Sequence, residues 1–530
     1  MDTPLIFAIT AGGIFALAFL VLLVLYLFPY LLPCLRRLRS TTVQISKYLT
    51  YDYLLRRHRF IGPWTPFKIL LHIIYIAVNA ICLCLPSPVQ GFGRRAGSMS
   101  VLNSIILLVT VCLSPTIDRL GVPLRVYQAF HRALGWMVAL LSTIHAFTFV
   151  VVDGKSFPLY ISSNLWGLVG IISLAVLLFL FIRVFRKLAY EISLVVHRVT
   201  AALCAYAIWA HISSYRPLAL LYLYTGLGIL IVLVIRAVSL LYRNGVFTSH
   251  AQPRASISRI WNLELDNKDM DNSKYRLIKV CVSTSQPMKV NAGQYINLHF
   301  LSASWWSWAQ SHPFMVVSWS NEAQESLELI VQPRNGLTAD LFHLTSIGPE
   351  PTMSLPAFIS GPHGVSQSVE EYETILMVAS ELGVVAIIPY LKRLIYGYKG
   401  GISQTRRIHF VWQLHTLDTA KVIQPWLNSL LYEDILDSSY ILTISIYAEI
   451  GDKRVDKYGN HERAAVYSGV ANLKEIFQQE ISGEHIPTVE EVQGKMLVLA
   501  SNNIRDGLRG LVRNHLDKNV KISQLEFQPE

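Results

Sequence analysis

Two patterns of apolar and polar positions divide the chain. Up to about residue 245, apolar residues gather into long runs separated by basic clusters. About 20 consecutive apolar residues cross the roughly 30 Å hydrocarbon core of a bilayer. On that measure the runs predict seven membrane helices, at about 5–28, 67–86, 101–117, 127–152, 164–182, 190–213 and 218–241. Beyond residue 250 the pattern changes to short alternating stretches. KYRLIKVCVS (274–283) and YINLHF (295–300) alternate as antiparallel strands do, and they predict a small β-barrel ending near SGPHG (360–364). ETILMVAS (373–380) then predicts a buried strand, followed by Gly383 and an apolar helix to about Tyr396. IHFVWQLH (408–415), ILTISIYAE (441–449) and KMLVLAS (495–501) predict further strands with helical stretches between them. That alternation predicts a doubly wound α/β domain with a parallel sheet. The expected fold is multi-domain, with segments 1–66, 67–245, 246–368 and 369–530: an anchor helix with a basic loop, an α-helical membrane bundle, an antiparallel β-barrel and an α/β domain.

Charge supplies an orientation. Residues 1–245 hold 21 Lys+Arg against 5 Asp+Glu, whereas residues 246–530 hold 25 against 30. The basic excess behind the net +11 therefore flanks membrane helices, and the slightly acidic second half argues against a nucleic-acid partner. The first apolar run lacks a basic start and is followed by Arg36, Arg37 and Arg39 instead of a cleavage site, which predicts a signal anchor with its N-terminus outside. Basic loops at 36–59 and 183–187 then fall on the cytosolic side together with the C-terminal half, while Arg94 and Arg95 run against that rule. The six cysteines form no CxxC, so neither a zinc site nor a disulfide framework is expected. No N-x-[ST] sequon is present, which implies no glycosylated ectodomain.

Four histidines carry the candidate chemistry. HRALGWMVALLSTIHAF holds His131 and His145; HRVTAALCAYAIWAHIS holds His197 and His211. Fourteen helical steps return to within about 40° of the starting direction and advance roughly 21 Å, so each pair shares one face at two depths. Ionisable residues inside membrane helices are rare and usually functional. Two such helices side by side offer two facing imidazole pairs, the axial ligation that a six-coordinate haem iron requires. With the predicted orientation, His131 and His197 lie near the cytosolic face and His145 and His211 near the outer one. Arg132 and Arg198 follow the first histidine of each helix and could pair with haem propionates.

A di-haem membrane core, a flavin-type barrel and a nucleotide fold, in that order, resemble the ferric reductase and NADPH oxidase superfamily. The resemblance covers about residue 67 to the C-terminus. HPFMVVS (312–318) resembles the family's His-Pro-Phe-Thr-x-x-Ser flavin signature, and AGQYINL (292–298) the strand before it. RNGLTADL (334–341) resembles the segment at the FAD pyrophosphate, and GPHG (361–364) the flavin–nucleotide junction. The resemblance implies ferredoxin-reductase-like domains, an FAD-binding one at 246–368 and an NADPH-binding one at 369–530. It implies FAD at His312, Pro313, Phe314, Ser318, Gly336 and Thr338, and NADPH at Gly361, Pro362, His363, Gly364, Gly383, Ser501 and Asn502. Arg406, Arg407 and Arg505 are candidate phosphate partners.

The departures are specific. Met315 stands where the family has threonine. The glycine-rich nucleotide turn reads Ser380-Glu381-Leu382-Gly383, which puts a carboxylate where a pyrophosphate should lie. The family's Trp-x-x-Arg is Trp412-Gln413-Leu414-His415, its Cys-Gly-Pro is Ser501-Asn502-Asn503, and its terminal aromatic is lacking, with Phe527 nearby. The resemblance implies electron flow from cytosolic NADPH through FAD and two b-type haems to Fe³⁺, Cu²⁺ or O₂ across a plasma or endoplasmic reticulum membrane, with no acid–base catalyst required. No secretory signal or large outer domain is expected before the bundle, and the compact seven-span form looks more like yeast metalloreductases with oxidase-like activity. A haem-binding regulatory homologue that has lost nucleotide use is the rival.

Overall fold

The protein is described here by a computed structural model covering residues 39–55, 63–85, 91–119, 122, 124–152, 154, 156–180, 190–247, 251–260, 277–300, 310–334, 336–347, 352–435, 440–450, 456–457, 463–483, 495–501 and 504–525. The expected span at 5–28, the 183–187 loop, Asn502, Asn503 and Phe527 lie outside these residues. The chain divides into two units, Met1–Ala237 and Val238–Glu530.

In the first unit a short helix, α1 (Arg39–Ser46), precedes α2 (Pro66–Cys84), α3 (Phe92–Arg119), α4 (Leu124–Phe147), α5 (Ser162–Leu180), α6 (Tyr190–Ile212) and α7 (Arg216–Arg243). Among the described residues, α2 to α7 are the six helices long and apolar enough to cross a membrane, and the protein is a multi-pass integral membrane protein. Helix α2 starts where its sequence directs: Thr65 accepts the Lys68 N–H and Pro66 fills the first turn. It stops at Leu85, which precedes Pro86 and is extended. Helix α3 begins at Phe92, well before the 101 read from hydropathy. Arg94 and Arg95 lower the hydropathy of that turn without breaking the helix, and the Arg95 Nε–H donates to Leu83 O at 3.0 Å, satisfying a carbonyl at the end of α2. A buried polar network holds α2 to α3: Tyr75 donates to Asn103 Oδ1 at 2.6 Å, and Asn103 Nδ2 donates to Asn79 Oδ1 at 2.9 Å. Helix α3 packs on α4, and α5 on α6.

In the second unit, β1 (Arg254–Arg259), β2 (Ile278–Met288), β3 (Tyr295–Phe300), β4 (His312–Met315), β5 (Gln324–Val331) and β6 (Thr352–His363) pair antiparallel in the order β4-β3-β6-β1-β2-β5. A bridge between Val316 and Leu329 joins the two ends of that order. Alternation puts Ile257, Val280, Leu298, Phe300 and Leu329 inside, all at most 1% exposed. Helix α8 (Leu337–Ile347) lies on β1 and β6.

The second sheet orders β10 (Asp456–Lys457), β11 (Ala464–Ser468), β9 (Leu442–Ala448), β8 (Arg407–Leu414), β7 (Thr374–Ser380), β12 (Met496–Ser501) and β13 (Val520–Leu525), parallel except for β10. Helices α9 (Ile388–Lys399), α10 (Asp418–Glu433), α11 (Leu473–Ser482) and α12 (Arg505–Arg513) connect its strands. The chain moves outward from β7 through β8 and β9, then returns to β12 on the other side of β7. The switch point, where such sheets take their ligands, is the carboxyl edge between β7 and β12.

A buried ion cluster pins α11 to this sheet. Arg407 meets Glu480 through two hydrogen bonds of 2.9 and 2.8 Å, and His409 Nδ1 stands 2.7 Å from the same carboxylate. Burial alone would raise the Glu480 pKa, but the hydrogen bonds and charges of His409 and Arg407 outweigh it and hold the group at about 2. A depressed carboxylate contributes stability above its unfolded value of about 4.5 and loses it as pH falls toward about 2. Glu480→Gln is therefore expected to destabilise the α/β domain by roughly 3 kcal/mol at neutral pH, the size of that shift and of a broken buried pair. Hydrogen exchange of the β8, β9 and α11 amides at fixed pH checks it; unchanged protection would refute it.

Candidate functional site

The four histidines meet in two pairs. The rings of His131 (α4) and His197 (α6) have centroids 6.4 Å apart, and those of His145 and His211 are 6.1 Å apart. Helices α4 and α6 therefore run parallel, with both pairs stacked along them, as the 14-residue spacing requires. Two metal–nitrogen bonds of about 2 Å, with half a ring added at each end, also come to roughly 6 Å between centroids. The ring planes stand at 66° and 69° to each other. On three of the rings a neighbour engages Nδ1. Thr110 Oγ1 lies 3.2 Å from His131 Nδ1, Gly93 O lies 2.8 Å from His145 Nδ1, and Ser163 O lies 2.6 Å from His211 Nδ1. A backbone carbonyl can only accept, so His145 and His211 carry their protons on Nδ1 and keep Nε2 as a lone-pair donor. That is the donor set and separation that a bis-imidazole iron site needs, so two haems fit these residues. Arg132 and Arg198 are both exposed, one step around the helix from their histidines.

The residues that seat these rings carry only a weak signal in the sequence. Gly93 and Gly97 in FGRRAG, and Ser163 and Gly167 in SNLWG, are small residues four apart, the signature of close helix contact in membranes. Thr110 carried no signal, being one hydroxyl in an apolar run.

In the second unit the flavin motifs converge on adjacent strands. Strand β4 pairs with β3, setting Tyr295 opposite Met315 and Leu298 opposite His312. Strand β3 pairs on its other side with β6, setting Tyr295 opposite His363. The Tyr295 and His363 rings are 5.7 Å apart. Gly364, at φ +87°, lets the Tyr295 ring approach to where a Cβ would meet it at 3.0 Å. His312 and Pro313 remain partly open, whereas Phe314 and Met315 are buried, 3% and 6% exposed. Phe314 thus fills the barrel, and the threonine-to-methionine departure lies in packed surroundings shared with the α/β core. The Ser318 hydroxyl accepts the Glu328 N–H at 2.9 Å. Gly336, at φ +74°, opens α8, where Thr338 Oγ1 accepts the Arg334 N–H at 2.8 Å. Gly361 and Pro362 close β6.

At the switch point Ser380 ends β7, and residues 381–386 form a 3-10 turn that buries Leu382, Gly383 and Val384. Glu381 holds φ +48°, a left-handed conformation that favours glycine. Trp412 Nε1 donates to its carbonyl at 2.8 Å, and its carboxylate accepts the His415 N–H at 3.0 Å. Ser501 ends β12 fully buried, and among the described residues its hydroxyl has no hydrogen-bond partner. That hydroxyl sits at the carboxyl end of β12, on the crevice side of the sheet. Of the three candidate arginines, Arg406 and Arg407 sit at the amino end of β8, opposite the crevice. Arg407 is held by the buried Glu480, and Arg406 is largely exposed with Glu373 3.5 Å away, so at that end of the sheet neither meets a phosphate in the crevice, which corrects the expectation for both. Arg505 opens α12 on the crevice side.

Family models match two segments: ferric reductase like transmembrane component over residues 96–208, and FAD-binding domain over 262–367. The chain is similar to ferric/cupric reductase transmembrane component 2 of Saccharomyces cerevisiae, at 27% identity over 58% of this chain and 40% of that one. It is also similar to ferric reductase transmembrane component 3 of the same yeast, at 28% over 50% and 34%. A probable metalloreductase of Candida dubliniensis matches at 26% over 55% and 52%. The aligned part thus spans about half or less of each relative's length. Two family models thus match in order, ferric reductase like transmembrane component and then FAD-binding domain, and over about half its length the chain is similar to the yeast ferric reductase transmembrane components.

Proposed function

We propose that the protein is a transmembrane oxidoreductase that takes electrons from cytosolic NADPH and delivers them across the membrane to ferric or cupric ions. The observation that carries this reading is the pair of facing histidine couples stacked along α4 and α6. FAD would supply the exchange of a hydride for single electrons, and two b-type haems would supply one-electron relay. His131, His197, His145 and His211 would hold the irons through Nε2, with Arg132 and Arg198 for the propionates. The strand edge formed by His312, Pro313, Tyr295 and His363 would seat the flavin. Gly336 and Thr338, at the N-terminus of α8, would face its pyrophosphate. Gly364, Gly383 and the buried Ser501 hydroxyl would line the nicotinamide crevice, with Asn502 beside it in sequence. Each of these residues positions or ligates, and none needs to move a proton.

Purified, FAD-loaded protein given NADPH without oxygen is expected to show reduced haem bands and to reduce a ferric chelate. Superoxide formed only in air, with no anaerobic metal reduction, would overturn the reductase in favour of an oxidase. The Glu381 carboxylate in the nucleotide turn favours a second reading, a haem-binding regulatory homologue. On that reading haem is reduced by dithionite and not by NADPH.

A further inference from the structure

The same seat for a histidine is built twice in the bundle. On α3, Gly93 and Gly97 lie four apart; on α5, Ser163 and Gly167 lie four apart. In each case the first residue gives its carbonyl to a histidine Nδ1, at 2.8 Å for His145 and 2.6 Å for His211. In each case the second residue faces the same ring. A Cβ at Gly97 would lie 2.9 Å from His145 Nδ1 and 3.1 Å from Cε1 and Cγ. A Cβ at Gly167 would lie 2.8 Å from His211 Nδ1 and 3.0 Å from Cε1. Real Cβ atoms do not come that close to a ring, so even alanine would push the imidazole away from the carbonyl it donates to. The contact is particular to these positions. On α5, one turn beyond Gly167, a Cβ at Gly170 would meet the Ala207 Cβ at an ordinary 3.8 Å. The His131–His197 pair is seated differently, with the Thr110 hydroxyl beside His131 Nδ1.

We infer that Gly97 and Gly167 are positioning residues for the His145–His211 pair: the absent Cβ lets each ring lie against the helix, where the carbonyl of Gly93 or Ser163 fixes its tautomer and aims Nε2 at the partner ring. This rests on the proposal that the four histidines are haem ligands. A hydrogen bond from the far ring nitrogen orients a metal-bound histidine and raises its basicity, and losing one typically costs 10–100-fold in affinity or activity. Ligand strength at this pair is thus set by two residues that never touch the iron.

The experiment uses the full chain in detergent, with haem content, CO binding to the reduced protein and a potentiometric titration as readouts. Gly97→Ala and Gly167→Ala are each expected to open one of the two haems to CO and shift one midpoint, leaving the His131–His197 haem six-coordinate. Gly170→Ala is expected to keep both haems closed to CO. A second measurement leaves the glycines intact. In His145→Gly, added imidazole, which can donate to Gly93 O, is expected to restore the six-coordinate spectrum at least tenfold more tightly than 1-methylimidazole, which cannot. Equal restoration by the two, or Ala variants that stay closed to CO with unchanged midpoints, would overturn the seat and leave the ligands standing. The same CO reactivity in Gly170→Ala would reduce the effect to helix crowding and overturn it too. Full haem content and no CO binding in His145→Gly would instead overturn the ligand assignment, and the seat with it.

Discussion

Leucine in place of His131 is expected to lower bound haem from two per chain to one and to abolish electron transfer from the flavin side to the far side of the membrane. Leucine has no lone pair to offer an iron, so the His131–His197 site would keep one of its two imidazoles. The change should be local. His131 projects from the second turn of α4 toward His197, with Tyr127 stacked on its other side at 6.4 Å between centroids. An apolar side chain of similar bulk keeps the helix in the membrane. Haem quantification and dithionite difference spectra in membranes check the content; NADPH-driven reduction of the remaining haem and of an external ferric chelate checks the flow. His211→Leu should behave alike at the other pair. Unchanged haem in both variants would refute the assignment of the four histidines.

The sequence made the histidine pairs legible because helical geometry is rigid: 14 residues fix both direction and depth, whatever lies around them. The strands of the α/β domain were equally plain, since buried runs such as TILMVAS and RIHFVWQL admit few other placements. What seats the rings was not visible in the same way. Gly93, Gly97, Ser163 and Gly167 act on histidines about 50 residues away in the chain, and a glycine among apolar residues does not announce which ring it admits. The start of α3 was misplaced because Arg94 and Arg95 lower the averaged hydropathy there, while no proline interrupts the backbone at that point and the helix carries Gly93 and Gly97 within its first two turns. The role of Arg407 went astray for a related reason. Strand direction puts it at the amino end of β8, and its partner Glu480 lies 73 residues further along.

Glycine in place of Glu381 is expected to tighten NADP⁺ binding by at least tenfold and to speed NADPH-driven haem reduction accordingly. Glu381 opens the turn after β7, on the crevice side of the sheet, at φ +48°. Its side chain is held there by the His415 N–H, so it cannot simply swing clear without leaving that donor unmatched. A carboxylate about 4 Å from a phosphate charge opposes it by roughly 1 kcal/mol in water and about 4 kcal/mol at an effective dielectric constant near 20. At about 1.4 kcal/mol per power of ten, removing it is worth one to three powers of ten in affinity. Stability should change little. Glycine relieves about 1 kcal/mol of left-handed strain and loses a similar amount through its own chain entropy and the unmatched His415 N–H. Glu381→Gln separates charge from shape, since it keeps the side chain and its hydrogen-bond acceptor. If charge is the obstacle, glutamine recovers most of the gain; if bulk is, only glycine does. Affinity unchanged in both would mean that the pyrophosphate does not approach this turn, and the crevice between β7 and β12 would then have to take its ligand from the Ser501 side alone.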